Sequence, residues 1–477
     1  MTDAPGRHHV VIGDGVSAGA FAAHAALGPG DRLTIVAPQA DRLGRGLAYA
    51  DHPESVPWRY AYLLNQPAID IDPDFPEWLR PRWPDIRAAM KGRRPDWLTA
   101  AARLGEDIDQ LFLPRAIHGD YLQERVDSAL TDLAGKGVRV ERRRLCATDI
   151  ARDEPGFRIA LADGSTLRAD SIDVATGGPL PRTFPGAEAP HFVAGPYGNE
   201  AAIAEAARAG RRITVIGANA SMLDVLRLLQ SVLPEERIDM TVIAPSGEGP
   251  GPYETESPPR SRAPAVSGPY ETAADFLAAM DADQSAAAAI SEAEALALRR
   301  GYMALFDARP LNDFLPDPRE ARRAATRIER RLIRGTRDSV HDFRRLAAAG
   351  RVRIVHGKAE ALSQGADGAR LRLIDADSDC REIEAGMVVS CAGPGPAPRH
   401  EPLAQSLIDR GWIARCPVTG GIELGQGLTT AQPGLRFAAP SVTVIGGKVE
   451  AYPLYNGLRL RRLIATAVMQ PSDTETA

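Results

Sequence analysis

The sequence predicts an α/β fold: two Rossmann-like units, each opened by a strand, a glycine turn and a helix, with a helical insertion. Three observations predict it. The short β-branched run His9–Ile12 enters Gly13-Asp14-Gly15-Val16-Ser17-Ala18 and then a helix over Phe21–Leu27. The pattern returns about 200 residues later, where Arg212–Ile216 enters Gly217-Ala218-Asn219-Ala220-Ser221 and a helix through Leu229. Between Ala273 and Ala349 the chain is alanine-rich, charged and nearly free of glycine, which reads as helix.

The 477 residues suffice for two or three domains, and 44% hydrophobic with 25% charged residues is ordinary for a globular chain. A net charge of −5 gives no global basic field toward nucleic acid or membrane, and 5% aromatics is thin for a base-stacking platform. Cys146, Cys380, Cys391 and Cys416 are scattered with no C-x-x-C, which predicts free thiols in a reducing cytoplasm and no zinc site. Met1–His8 has no apolar core, and no apolar run is long enough to span a membrane.

In the first unit Gly13 permits the tight turn, Gly15 lets the backbone approach a pyrophosphate, and small Ala18 lets the helix pack on the strand. The helix N-terminus then offers N–H groups to phosphates. Arg32–Val36 is the second strand. An acidic residue usually ends this strand and holds a ribose; Ala37 stands there instead, followed by Pro38 and Gln39, leaving Gln39 or a backbone group to take the ribose, or a weaker hold on it. Gly44-Arg45-Gly46-Leu47-Ala48-Tyr49 and Leu63-Leu64-Asn65 follow. Trp58–Trp97 carries four of the five tryptophans, readable as an aromatic cap on a flat ligand or, with somewhat more weight, as packing of irregular loops. Phe112-Leu113-Pro114-Arg115 leads into an amphipathic helix to about Ala134, and Val138–Val140 is a third strand. Arg158–Arg168 is a hairpin turning at Asp163-Gly164, and Ser171–Val174 ends in Ala175-Thr176-Gly177.

In the second unit Asn219 stands where the second glycine usually does, and no arginine follows Met240–Ala244 to receive a 2′-phosphate, so NADH is at least as good a fit as NADPH. Arg323, Arg327, Arg330, Arg331 and Arg334 recur at helical spacing. A phosphate patch is one reading; a solvated face laced with Glu320 and Glu329 is the weightier one. Met387–Pro394 echoes Val174–Pro179. Near the end, Ser441–Ile445 enters Gly446-Gly447, and Leu454–Met469 reads as a helix opened by Pro453. His118, His191, His341 and His356 have no spaced partners and read as structural.

These motifs, in this order, resemble the FAD/NAD(P)-binding flavoproteins related to the flavin-dependent N-hydroxylating monooxygenases, of the urate hydroxylase and aspartate N-hydroxylase type. The carrying residues are Val11–Gly15, Gly44–Tyr49, Leu63–Asn65, Phe112–Arg115, Ala175–Gly177, Gly217–Asp224 and Cys391–Pro394. The resemblance implies a discontinuous FAD domain over 1–195 plus 385–477, interrupted by an NAD(P)-binding-like domain over 196–384 whose helical insertion covers about 268–350. It implies FAD held by Gly13, Gly15, Val16, Ser17 and Ala18, with Pro38, Gln39, Gly46, Leu47, Ala48, Asn65, Arg115, Val140, Thr176, Gly177, Gly446, Gly447 and Tyr455 contributing. NADH or NADPH falls to Gly217, Asn219, Ala220 and Ser221, and the substrate to Tyr452 and Trp58. The implied activity is that of a monooxygenase: NAD(P)H reduces FAD, O2 is activated as a C4a-hydroperoxide, and a small polar, nitrogen-bearing substrate takes one oxygen. No catalytic side chain and no metal is assigned, and a homo-oligomer is left open. A flavin oxidoreductase without oxygen insertion, and a non-catalytic relative with degenerate sites, are the alternatives.

Overall fold

The computed structural model describes residues 6–187, 191–253, 261–332, 335–365, 368–375, 379–395, 398–451 and 462–465. β1 (His8–Ile12) is buried throughout and leads through a glycine turn into α1 (Val16–Ala23); β2 (Arg32–Val36) returns parallel to β1 with Val36 opposite Ile12. Four short helices follow, α2 (Ala68–Ile71), α3 (Phe75–Leu79), α4 (Trp83–Lys91) and α5 (Pro95–Arg103), then the long α6 (Arg115–Gly135). Tyr60, Phe75, Trp97 and Tyr121 share one buried core there, with Trp78 and Trp83 against it. Large rings fill the gaps that irregular short helices leave, which is the packing use of this tryptophan-rich stretch. β3 (Arg139–Arg143) adds to β2; β4 (Ala147–Asp153), β5 (Gly156–Leu161) and β6 (Thr166–Ala169) form an antiparallel meander; β7 (Ser171–Val174) pairs with β1.

The chain then crosses to β8 (Phe192–Val193), α7 (Glu200–Arg208), β9 (Ile213–Ile216), α8 (Ala220–Val232), β10 (Met240–Ala244) and β11 (Pro252–Tyr253). Helices α9 (Ala273–Ile290), α10 (Glu292–Ala308) and α11 (Pro318–Leu332) come next, then β12 (Gly335–Thr336), which pairs with β11, and α12 (Arg337–Ala348). β13 (Val352–His356) is followed by a second antiparallel meander, β14 (Lys358–Gln364), β15 (Ala369–Ile374) and β16 (Cys380–Ala385), and by β17 (Met387–Ser390). The last part holds α13 (Pro402–Asp409), β18 (Ala414–Arg415), β19 (Ile422–Leu424), β20 (Leu435–Phe437), β21 (Val442–Ile445) and β22 (Lys448–Val449).

The repetition read from the sequence extends to the whole topology. The first sheet is ordered β20-β7-β1-β2-β3, the second β8-β17-β9-β10-β13, and every one of these neighbours runs parallel. Strands β7-β1-β2-β3 thus correspond one for one to β17-β9-β10-β13, each set with its own meander inserted before the strand that returns beside the first. Alternation along the strands sends Ile213, Val215, Met240 and Val242 into the core shared with α7, α8 and α12, and Ile216, Ile243 and Val388 into the core under the second meander. In the first sheet, α1, α6 and the meander contribute to one continuous core.

Three boundaries differ from the sequence reading. β8 and β17 both lie in the second sheet, so the crossings fall between Val174 and Phe192 and after Ser390, not at 195 and 385. A strand as short as β8 carries no periodicity to announce it. The helical insertion is α9–α11: these helices share a core built on Phe276, Tyr302, Phe306 and Phe314, while α12 packs its Val340, Phe343 and Leu346 on the second sheet. The helix expected over Leu454–Met469 is a separate matter: it lies mostly outside the described residues, and 462–465 are helical.

Candidate dinucleotide sites

Each unit places a glycine turn at the C-terminal edge of its sheet, where such folds bind ligands. In the first, the Gly13 N–H donates to Val36 O at 3.0 Å and the Ala175 N–H to Ile12 O at 2.8 Å. Gly13 has φ +125°, and a Cβ there would lie 2.2 Å from Ala175 O, so only glycine fits. Gly15 is the N-cap of α1, extended at φ −81°, ψ −173°, and no side chain caps the helix. The first-turn N–H groups of Val16, Ser17 and Ala18 therefore have no side-chain acceptor at the helix end, the arrangement that receives an anion.

The neighbouring strand end supplies a second feature. Thr176 Oγ1 is buried and has no hydrogen-bond partner among the described residues. A buried hydroxyl without a partner is costly unless a ligand satisfies it. Gly46 closes the other side: a Cβ on it would lie 3.1 Å from Gly15 Cα, so two glycine backbones meet. The loop carrying Gly46 is strapped to α6 by Arg45, a residue to which the sequence reading gave no role of its own. Its buried guanidinium bonds Gln123 Oε1 at 2.6 Å and pairs with Asp120. Asp14 sits at the same edge, accepting from the Gln39 N–H at 3.3 Å. Burial raises its pKa above the ordinary carboxylate value, against the pull of that N–H.

Around this cradle Pro38 and Gln39 are exposed at the end of β2, Ala48 is half-buried, and Asn65 and Gly177 are exposed. Leu47 is 65% exposed. It reaches toward the linker of the second unit, where a Cβ on Gly198 would lie 3.7 Å from Leu47 Cδ2. Trp58 is half-buried and packs against the core of the second unit. Tyr452 and Tyr455 lie outside the described residues.

Three expected cofactor contacts have other surroundings. Val140 pairs with Leu33 near the start of β3; the strand's C-terminal end is Arg143, opposite Val36, so Val140 is away from the ligand edge. Gly446 and Gly447, at φ +56° and +77°, make the two-residue turn between antiparallel β21 and β22, in a four-stranded sheet separate from the cradle sheet. The strand that joins the cradle sheet is β20, which ends at Phe437, just before Ala438-Ala439. Arg115 is buried and engaged by protein. Its Nε donates to Leu63 O at 3.0 Å, Nη1 to Tyr197 Oη at 2.6 Å, and Nη2 pairs with Asp224 at 2.9 Å. Tyr197 Oη donates to Asp224 Oδ2 at 2.5 Å. Burial works against the guanidinium charge, and Asp224, then Tyr197, more than restore it, so the Arg115 pKa lies above its ordinary value. The group crosses the junction, since Arg115 starts α6 and Asp224 lies on α8. Asp224 falls inside the second glycine motif, the one sequence signal that it faces a site of interest.

The second cradle repeats the strand-end hydrogen bonds and the glycine contact of the first. The Gly217 N–H donates to Ile243 O at 2.9 Å, the Cys391 N–H to Ile216 O at 2.7 Å, and a Cβ on Gly217 would lie 2.6 Å from Cys391 O. The N-cap differs. Asn219 Oδ1 accepts from the N–H groups of Ser221 at 3.0 Å and Met222 at 3.4 Å, and Nδ2 donates to Cys391 O at 2.6 Å. Ala220 and Ser221 begin α8 beneath that side chain.

The remaining candidates are structural. Arg323 pairs with Glu320 and Arg331 with Asp281 on the outer side of α11, as a solvated face would; the side chain of Arg330 and residue Arg334 lie outside the described residues. His118 packs among Tyr49, Phe75 and Tyr121. No described helix is long and apolar enough to cross a membrane.

Residues 10–179 match the family model described as FAD-NAD(P)-binding. No curated protein matches the chain. Among solved structures, the ornithine N-hydroxylase of Kutzneria sp. 744 is 15% identical, with 97% of this chain and 99% of that one covered at a TM-score of 0.51. The reduced ornithine hydroxylase of Pseudomonas aeruginosa is 15% identical over 97% and 98% at 0.52. The FAD-bound cadaverine monooxygenase of desferrioxamine biosynthesis from Erwinia amylovora is 13% identical over 98% and 96% at 0.51. The fold is that of the two-domain flavoprotein monooxygenases, matched end to end.

Proposed function

We propose that this chain is an FAD-dependent monooxygenase, reduced by NADH or NADPH, that oxygenates a small nitrogen-bearing substrate. The observation that carries the reading is the first cradle: an N-cap without a side chain at Gly15 beside a buried, unpartnered Thr176 hydroxyl. The family model over 10–179 supports FAD there, and the amine-oxidising neighbours of the same fold support the substrate class. In this reading the FAD unit is the discontinuous one, with the boundaries moved to the two crossings, and the second unit takes the nicotinamide.

The residues present suit FAD. The first-turn N–H groups of α1 would hold its pyrophosphate, and the Thr176 hydroxyl would find in it the partner it lacks. The chemistry supplied by bound flavin is hydride acceptance from the nicotinamide and activation of O2. The chain itself binds and positions. Arg45 fixes the Gly46 loop over Gly15, Leu47 presents an exposed apolar side chain beside Gly198 of the second unit, and Arg115, Tyr197 and Asp224 hold the junction in register. A flavin oxidoreductase without oxygen insertion is the second reading, since no described side chain is assigned to the oxygen-transfer step.

The test is a purified protein with a flavin spectrum that oxidises NAD(P)H faster when a diamine or basic amino acid is added and places labelled oxygen from O2 in the product. Flavin present with NAD(P)H oxidation but no label in any product assigns the second reading instead. A protein that neither carries nor takes up FAD removes both.

A further inference from the structure

We infer that Asn219 is an intramolecular competitor for the nicotinamide dinucleotide: its side chain occupies the phosphate-binding end of α8 and must swing away before NAD(P)H binds. The inference rests on the second unit being the nicotinamide unit. The two cradles provide an internal control. Gly15 and Asn219 hold the same position, one residue before a helix that leaves the first strand of its sheet, and both are extended, at φ −81°, ψ −173° and φ −130°, ψ −170°. The flanking glycines, strand-end carbonyls and amide bonds correspond. Besides a modest difference in φ, what separates the two positions is the side chain.

That side chain does what a phosphate would do. Its Oδ1 accepts from the Ser221 and Met222 N–H groups, the donors a dinucleotide needs at this point. Its Nδ2 is anchored at 2.6 Å to Cys391 O, at the end of β17, so the carboxamide lies across the crevice between β9 and β17 rather than out in solvent. A phosphate arriving at α8 has to displace one acceptor bonded twice and break one donor bond. Selectivity against nucleotide is therefore set by a neutral amide, not by a charge, and it acts on NADH and NADPH alike because the contested groups bind the pyrophosphate common to both.

The experiment uses the FAD-loaded full chain and its Asn219→Gly variant, titrated calorimetrically with NADP+ and separately with NAD+, which bind without reducing the flavin. Glycine is itself well accepted at a helix N-cap, so the variant folds. The expected result is at least about tenfold tighter binding of both nucleotides in the variant, or ~1.4 kcal/mol. Asn219→Ser, which keeps a shorter cap and loses the bond to Cys391 O, is expected between the two. Equal dissociation constants for wild type and Asn219→Gly, or weaker binding in the variant, overturn the inference alone. Absence of binding of either nucleotide to both proteins, with FAD still in place, overturns it together with the assignment of nicotinamide to this unit.

Discussion

The contrast between the two cradles can be run in reverse. Gly15→Asn writes the Asn219 arrangement into the first unit. The backbone at Gly15 is extended and suits any residue, and the nearest atom to a Cβ there is Gly46 Cα at 4.0 Å, an ordinary contact. Glycine and asparagine at an N-cap differ by only about a few tenths of a kcal/mol, so the apoprotein should melt where the wild type does. FAD, in contrast, must displace the new side chain from two first-turn N–H groups. Neutral hydrogen bonds contribute about 0.5–1.5 kcal/mol each, so the pair amounts to about 1–3 kcal/mol, or roughly one to two decades in dissociation constant. The assay is the ratio of flavin to protein absorbance after purification, followed by equilibrium titration of apoprotein with FAD. Full flavin occupancy in Gly15→Asn with a dissociation constant within threefold of the wild type would show that the α1 N-terminus does not hold the cofactor.

Three further outcomes follow from the same geometry. Gly13→Ala forces an L-residue to φ +125° and a Cβ to 2.2 Å from Ala175 O, and should lower stability by at least about 2 kcal/mol in a denaturant titration. Asp14, its pKa raised by burial, adds negative charge beside the phosphate site whenever it is ionised; FAD affinity should rise as pH falls through that raised pKa, and Asp14→Asn should flatten the dependence while tightening binding at neutral pH. Asp173 is buried between His9 Nε2 at 2.9 Å and Arg436, bonded through two nitrogens at 2.7 Å. Burial alone would raise its pKa, but His9 and Arg436 outweigh it and hold it below the ordinary value. Its contribution to stability is thus present above the unfolded pKa of about 4 and lost as pH falls through the lower folded value. Asp173→Asn should destabilise by about 3–5 kcal/mol at neutral pH and lessen the acid dependence, read from melts at several pH values.

The parts of this fold legible in the sequence are those written locally. A β-branched strand, a glycine demanded by positive φ at Gly13 or Gly217 and a helix behind it lie within one short window, so both cradles and their repetition could be read. What could not be read depends on partners far along the chain. Nothing near Arg115 says that Asp224 will face it, and nothing in the two residues of β8 says which sheet they join. Val140 lies near the start of β3 and Arg143 at the end where folds of this kind bind ligands; a strand is easier to find in a sequence than its end. Gly446-Gly447 carries a signal of its own, since a Gly-Gly pair closing a short apolar run is the mark of a tight hairpin as much as of a cradle. Asn219 was legible as a departure; that it bonds two α8 amides and Cys391 O required the fold.

The buried trio of Arg115, Tyr197 and Asp224 also limits how the molecule can move. Any swivel of one half against the other unhooks a guanidinium from a carboxylate where no solvent stands ready to replace it, a penalty of about 3–5 kcal/mol. The two halves are thereby pinned to each other where α6 starts, and a motion that parts Arg115 from α8 carries that penalty.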